Sequence, residues 1–399
     1  MLAIDGERLL ADLRRLATFG KVGSGVNRPA FSADDLAARR WVAGELAAIG
    51  HDSWIDNVGN VFGRSRAGGP SVLVGSHTDS VPKGGWLDGA LGVMYGLAIA
   101  RAATAAGKAV DVISFQEEEG AFHPLLGSLA FCGEIDPASA AGARSPDGRV
   151  LGEAIAASGL AGARPARNEP GRYRAYLEAH IEQGPRLEAE GRRIGVVTGI
   201  VGIRRYKISF AGQADHAGTT PMAMRKDAGA ALIGFGHALL RAFRAIARSD
   251  TVWNLGAATF APGAANVVPA SAELLVECRD TEPAVLNAME GAVHTLVAEM
   301  GGWPVTVAAT RTAAIAPTAM DAGLRAHLAA AAGAHGAEPL VMPSGAGHDA
   351  IVLARHMPAA MLFIPSIGGR SHDIAENTAD DDIVLGCRVL ADAVARILP

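Results

Sequence analysis

The feature that most restricts this fold is a set of short runs that are apolar at consecutive positions, not at alternate ones. SVLVGS (71–76), VDVISF (110–115) and AAMLFIP (359–365) each have the length of a strand and carry apolar residues on both faces. A strand buried on both faces needs helices above and below it, which is the arrangement of a largely parallel sheet. Helical stretches separate the runs. They cover residues 5–19, 33–50 (behind the capping Ser32), 91–106, 320–334 and 380–397. The expected class is α/β.

The pattern changes near Gly202. In IRRYKISFAG, Tyr206, Ile208 and Phe210 face one way, while Arg205, Lys207 and Ser209 face the other. A helix (226–248), strands 251–260 and 267–280, a helix (282–300) and a strand (304–311) come next. One-sided strands with two helices predict a small α+β domain whose sheet is covered on one face. The α/β pattern resumes after Pro317. The expected organisation is a larger domain built from residues 1–201 and 316–399, with 202–315 inserted as the smaller domain. A chain of 399 residues has room for both.

A formal net charge of −5 argues against a nucleic-acid surface. No run approaches 18 uninterrupted apolar residues, so no membrane span is expected. The first 20 residues carry Asp5, Glu7 and Asp12 among their leucines, which predicts an amphipathic surface helix and not a signal peptide. Cys132, Cys278 and Cys387 are far apart and odd in number. They read as core thiols in a reducing compartment, and the expected location is cytoplasmic.

In open α/β sheets, ligands bind beyond the carboxyl ends of the strands. HTDSVPKGGWLDGALG, with His77, Asp79 and Asp88, comes after the first run. The triplet Glu117, Glu118 and Glu119 comes after the second. HIEQG, with His180, succeeds YRAYLEA, and SIGGRSHD, with His372, succeeds the last run. One acidic triplet is more often a solvated turn, and one histidine more often a satisfied polar residue. Four strand ends that all carry imidazole or carboxylate point to a metal site, and this donor set suits Zn, Mn, Co or Ni. A divalent cation also reverses the cost of crowding carboxylates. His237, His294 and His327 fall inside predicted helices and read as structural.

The ordered motifs H-T-D-S-V-P-x-G-G-x-x-D-G, E-E-E-G with L-G-S, H-I-E-Q-G-P-x-L-E, G-x-A-D-H-A-G-T-T-P-M, N-V-V-P, S-G-A-G-H-D-A and G-G-x-S-H resemble the M20 metallopeptidase-like superfamily. Within it they are similar to the hydantoinase/carbamoylase branch of amidases. That branch contains N-carbamoyl-L-amino-acid hydrolases, β-ureidopropionases and allantoate amidohydrolases. The resemblance runs from about Asn57 to the C-terminus. It implies a di-metal catalytic domain with a mixed, largely parallel sheet flanked by helices. It also implies an inserted ferredoxin-like lid that dimerises.

The resemblance assigns roles residue by residue. His77 is the first ligand of one metal, Asp88 the carboxylate bridging both, Glu119 and His372 ligands of the second metal, and Glu118 the general base. Asp79 orients His77. His180 stands where related peptidases carry an acid, which points to the amidase branch and completes the ligand set. Glu117 is left for a solvated or capping role. His216 reaches into the site of the partner subunit of a homodimer as an oxyanion donor. Arg279 clamps the substrate carboxylate, against the simpler reading of a surface salt bridge to Glu277 or Asp280. Gln183 and Asn266 hydrogen-bond the substrate. The hinge is expected at Gly202 and near Ala314–Pro317.

His348 and Asp349 lie in a family motif with either a site role or a loop-packing role. The chain departs from the pattern E-E-G-x-R-F at Ala121, Phe122 and His123, and from H-[NS]-P-x-E at Asp373, Ile374 and Ala375. The implied activity is hydrolysis of the C–N bond of a small carboxylate-bearing amide or ureido compound, an N-carbamoyl-L-amino acid first. Two divalent ions per subunit activate a shared water. An allantoate amidohydrolase or β-ureidopropionase is the near alternative. An M20-type aminoacylase or dipeptidase, and a non-catalytic binding relative, are more distant. His180 and Gln183 argue against the former of these, and Glu118 with a full ligand set argues against the latter.

Overall fold

The doubly apolar runs become the parallel centre of one sheet. The computed structural model describes residues 2–398. Four strands lie in parallel: β1 (Ser71–His77), β2 (Val110–Phe115), β3 (Tyr173–Ile181) and β4 (Ala359–Ile364). Their spatial order is β4-β3-β1-β2. Antiparallel strands continue the sheet, Val61–Arg64 beside β2 with Asp52–Ile55 beyond it, and Gly195–Ile200 beside β4. The sheet is therefore mixed and flanked by helices. On one face Val72, Val74, Val112, Leu177 and Leu362 pack with Leu91, Tyr95 and Ile99 of helix Ala90–Ala105 and with Leu390 and Val394 of helix Asp380–Ile397. On the other, Phe115 meets Phe131 of helix Leu126–Cys132 and Tyr176 edge-on. Each such fully buried side chain contributes about 1.5–3 kcal/mol.

Register decides where the strands end. His77 pairs with Phe115, and Ile364 with Ile181. The four parallel strands therefore run out at one edge, and the acids and histidines after them are delivered to the same place.

The chain divides into two compact units, and the sheet above belongs to the one containing residues up to Thr198 and from Met320 on. The other, Gly199–Ala319, is a four-stranded antiparallel sheet in the order Val252–Ala261, Ser271–Asp280, Gly202–Ala211, Thr306–Ile315. Tyr206, Ile208, Phe210, Leu274, Val276 and Cys278 form its buried face, as their alternation predicts. Helices Ala228–Ile246 and Pro283–Glu299 cover that face through Phe235, Leu239, Phe243, Leu286 and Met289. Helix Ala228–Ile246 is long and apolar enough to cross a membrane by length and composition. Its core-facing phenylalanines and leucines account for that composition. On the opposite face Lys207 pairs with Glu273, and Arg205 with Glu277.

The predicted elements are present with ends displaced by a few residues. The strand expected from residue 267 starts at Ser271, because Pro269 has no N–H to give a ladder. Capping explains the better-placed helix starts. Ser32 Oγ accepts from the Asp35 N–H at 3.1 Å, and Asp5 accepts from the Arg8 N–H at 3.0 Å.

Candidate metal centre

The ends of β1, β2 and β3 and two loops bring six of the predicted residues into one cluster. Ligand atoms of His77, Asp88 and His180 lie within 4.8 Å of one another, and so do those of Asp88, Glu119 and His372. The two groups share Asp88. His180 Nε2 is 3.0 Å and His77 Nε2 3.8 Å from Asp88 Oδ1, while His372 Nε2 is 3.3 Å from Asp88 Oδ2 and 3.6 Å from Glu119. Glu118 stands beside the first group, 3.6 Å from His77 Nε2.

Hydrogen bonds to main-chain carbonyls set the imidazole tautomers. His77 Nδ1 donates to Asp79 O at 3.0 Å, and His180 Nδ1 to Ile181 O at 2.8 Å. Each ring then turns its Nε2 toward the cluster, the orientation a metal-binding imidazole needs, and His180 Nε2 also lies 3.1 Å from the Gly89 N–H. The carboxylate of Asp79, expected to orient His77, is 3.8 Å from that ring and is engaged elsewhere. It takes the Arg39 guanidinium at 3.2 Å and the Glu119 N–H at 3.3 Å. Asp79 thus orients the ring with its carbonyl, and the glutamate loop with its side chain.

Two glycines are required by close approach. A Cβ on Gly89, which has φ of 63°, would fall 2.3 Å from the His77 ring, and one on Gly85 would overlap the Glu376 carboxylate. Glu117, Gln183 and His372, none of them glycine, also hold left-handed φ of 65°, 58° and 55°. Strain of this kind gathers at functional sites.

Electrostatics sharpen the picture. Burial, then the charges of Glu119, Asp349 and Asp88, push the Glu118 carboxyl well above the usual carboxylate range. Burial and Asp88 do the same to Glu119. Burial opposes the charge on Asp88 too, but hydrogen bonds from His180 and His372 outweigh it and hold Asp88 well below that range. Burial lowers His77. His180 rises to about 9, because the Asp88 hydrogen bond outweighs burial. The protein has gathered acids that resist ionising together, and histidines that take up protons to compensate. Cations in the two groups would remove both costs. The residues fit divalent ions by donor type, by tautomer and by this unmet demand for positive charge.

Several residues outside the expected set complete the centre. Glu376 is buried, and its Oε1 accepts the N–H groups of Leu87 and Asp88, both at 3.0 Å, while Ser371 donates to Oε2 at 3.0 Å. Burial and Asp88 raise its carboxyl to about 7. The retained final E of the H-[NS]-P-x-E pattern was the signal for it. Arg39 is fully buried and joins Asp35 at 2.8 Å to Asp79 and to the carbonyls of Gly59, Ser114 and Phe115. Glu117 is not solvated. It is buried and accepts the N–H groups of Phe122 and His123, tying down the turn after the triplet.

Gln183 donates to Asp88 at 3.2 Å and to Ser371 at 3.1 Å. His348 packs its ring 4.7 Å from His180 and bonds Ser344 at 2.9 Å, a supporting position. The Asp349 carboxylate is buried without a hydrogen-bond partner, since Ser128 gives its proton to Leu125 O at 3.2 Å. Burial and the adjacent Glu178 push it well above the usual range.

The smaller unit carries the remaining predicted residues. His216 is exposed, and its Nδ1 accepts the N–H groups of Gly218 and Thr219 at 3.0 and 3.2 Å. It caps a turn and carries its proton on Nε2. Asn266 is beside it in the fold, its carbonyl accepting the Ala217 N–H at 3.0 Å. Arg279 lies on the face away from the core, as expected, and its Nε pairs with Glu277 at 2.6 Å.

Comparison with known proteins places the chain. Residues 73–396 match the model of peptidase family M20/M25/M40. The chain belongs to this family. An amidase of the hydantoinase/carbamoylase family from Burkholderia phymatum has 49% sequence identity to it, with a TM-score of 0.95 over 100% of this chain and 98% of that one. The N-carbamoyl-L-amino acid amidohydrolase of Geobacillus stearothermophilus is 35% identical over 98% of both chains. The allantoate amidohydrolase of Bacillus subtilis is 33% identical over 96% of this chain and 95% of its own. Among M20 proteins, then, this chain resembles amidohydrolases of non-peptide C–N bonds.

Proposed function

We propose that this M20 protein is a divalent-metal-dependent amidohydrolase. It cleaves the C–N bond of a small, carboxylate-bearing linear ureido compound, an N-carbamoyl-L-amino acid first and allantoate second. The observation that carries this reading is the pair of three-donor groups sharing Asp88, with Glu118 next to them. The resemblance to named amidohydrolases supports the substrate class.

His77, Asp88 and His180 would hold one ion, and Asp88, Glu119 and His372 the other, from Zn, Mn, Co or Ni. Bound there, the ions supply the positive charge that acidifies a water and draws electrons from a carbonyl oxygen. The chain's own residues do the rest. Glu118 takes a proton from the water as its oxygen bonds to the carbonyl carbon. It gives that proton to the leaving nitrogen as the C–N bond breaks. Glu376 holds the main chain of Asp88, and Asp79 with Arg39 holds that of Glu119, so the donors do not drift when charge moves.

Arg279 is the proposed clamp for the substrate carboxylate, a task suited to a planar fork of donors. Asn266 and Gln183 are the proposed partners of the ureido group. His216, with Nε2–H exposed, is the proposed oxyanion donor, acting across a homodimer formed by the smaller domain. The test is ammonia release from N-carbamoyl amino acids, allantoate and N-acyl amino acids, with Mn, Co, Ni or Zn restored. Turnover confined to N-acyl substrates, or none on any of them, refutes the proposal.

A further inference from the structure

A cavity of about 340 Å³ opens beside Glu119, within the larger unit. That size falls in the range of about 300–1,000 Å³ found for small-molecule sites. Its walls are Pro29, Val81, Pro82, Ala121 and Pro146, with Ser80 and Ser145 between them. Gly120, Asp147 and Arg149 complete the lining.

The walls are fixed. Ser80 Oγ accepts the N–H of the buried Arg28 at 2.9 Å, and the Val81 N–H reaches Glu119 at 3.3 Å. The Ser145–Arg149 wall is a tight turn. Ser145 N–H bonds Arg149 O at 3.0 Å, and Gly148 N–H bonds Ser145 O at 2.9 Å. The Arg149 guanidinium sits 5.0 Å over the Phe122 ring, and its Nε is 3.0 Å from Asp147. Phe122 in turn meets Phe31 edge-on.

Arg149 Nε pairs with Asp147, and Glu119 faces the second three-donor group. Much of the remaining surface is proline, valine and alanine, which an aliphatic substituent would cover and a charged one could line only by giving up water.

We infer that this cavity receives the side chain of the substrate, and that it selects N-carbamoyl amino acids with an uncharged aliphatic side chain of leucine or methionine size. This rests on the functional reading above and narrows it. Allantoate carries a second polar ureido group in place of an aliphatic chain and is disfavoured. Ala121 is one of the residues that line the cavity.

The experiment measures kcat/KM on the metal-loaded enzyme for the N-carbamoyl derivatives of glycine, leucine, methionine, phenylalanine, aspartate and lysine, and for allantoate. Leucine and methionine derivatives should exceed glycine by on the order of 30–200-fold, given what each buried methylene adds in an apolar pocket. Aspartate, lysine and allantoate should fall well below leucine. Ala121→Leu should cut the leucine-to-glycine ratio by roughly tenfold or more at equal metal content. Val81→Ala, which widens the cavity, should move the preference toward the phenylalanine derivative.

Turnover of glycine and leucine derivatives at similar rates would overturn the cavity assignment and leave the ureido-hydrolase reading standing. So would a ratio that neither variant changes. No turnover of any ureido compound would overturn both.

Discussion

Glu376→Ala isolates what holds the central carboxylate in place. Glu376 binds no proposed ion. Its Oε1 accepts two buried main-chain N–H groups, those of Leu87 and Asp88, and its Oε2 accepts the Ser371 hydroxyl. Truncation leaves both N–H groups without an acceptor. At about 1–3 kcal/mol for each buried unsatisfied group, the local cost is about 2–6 kcal/mol, less whatever an entering water recovers. The expected consequence is a loosened Asp88 and a loss of about 10–100-fold in metal affinity.

Glu376→Gln keeps a carbonyl oxygen for the two N–H groups and an amide that Ser371 can accept from. It should lose no more than about 1 kcal/mol, the worth of one ordinary hydrogen bond. Metal affinity measured by competition with a chelator separates the variants, and thermal unfolding of the metal-free proteins gives the stability cost. Wild-type affinity in Glu376→Ala, or equal losses in the two variants, would refute the reasoning.

The same geometry yields three further expected outcomes. Glu118→Gln should keep its metal and lose on the order of 10²–10⁴-fold in turnover, whereas Glu119→Gln should lose metal; kinetics paired with metal analysis tells them apart. In the metal-free protein the His180 pKa is raised from 6.5 to about 9, so His180 adds stability that is complete below pH 6.5 and is lost as pH rises through 9; an ion displaces that proton, and calorimetry in buffers of different ionisation enthalpy should register proton release on metal binding at about pH 7–8. Mixing His216→Ala with Glu118→Gln should restore up to about half the activity per mixed dimer, by counting sites under the dimer proposal; no recovery in verified mixed dimers would remove His216 from the partner's site.

Much of the fold was legible in the sequence because burial on both faces leaves a mark that needs no tertiary context. β1, β2 and β4 could be read from consecutive apolar residues, and the sheet order then gathered His77, Glu119 and His372. The edge strand Asp52–Ile55 and its neighbour Val61–Arg64 left no such mark, being only four residues long each. Arg39 and Asp35 were illegible for another reason. Spaced i and i+4 on a helix, they read as an ordinary surface pair. Only the packing of that helix on strands Asp52–Ile55 and Val61–Arg64, with Arg39 reaching the carbonyls at the end of β2, buries them and turns the pair into a support for Asp79. Glu117 misled through its neighbours, since an acid next to two others reads as solvated. Its burial comes from the left-handed turn that aims it at the Phe122 and His123 N–H groups.

Metal content measured alongside activity tests the central claim most directly. The purified protein is stripped with chelator, metal removal is verified by elemental analysis, and Mn, Co, Ni or Zn is then titrated back while ammonia release from an N-carbamoyl amino acid is monitored. The account predicts no activity without metal and recovery that saturates at two ions per chain, with Asp88→Ala holding neither. Full activity in verified metal-free protein, or two ions retained by Asp88→Ala, would contradict it.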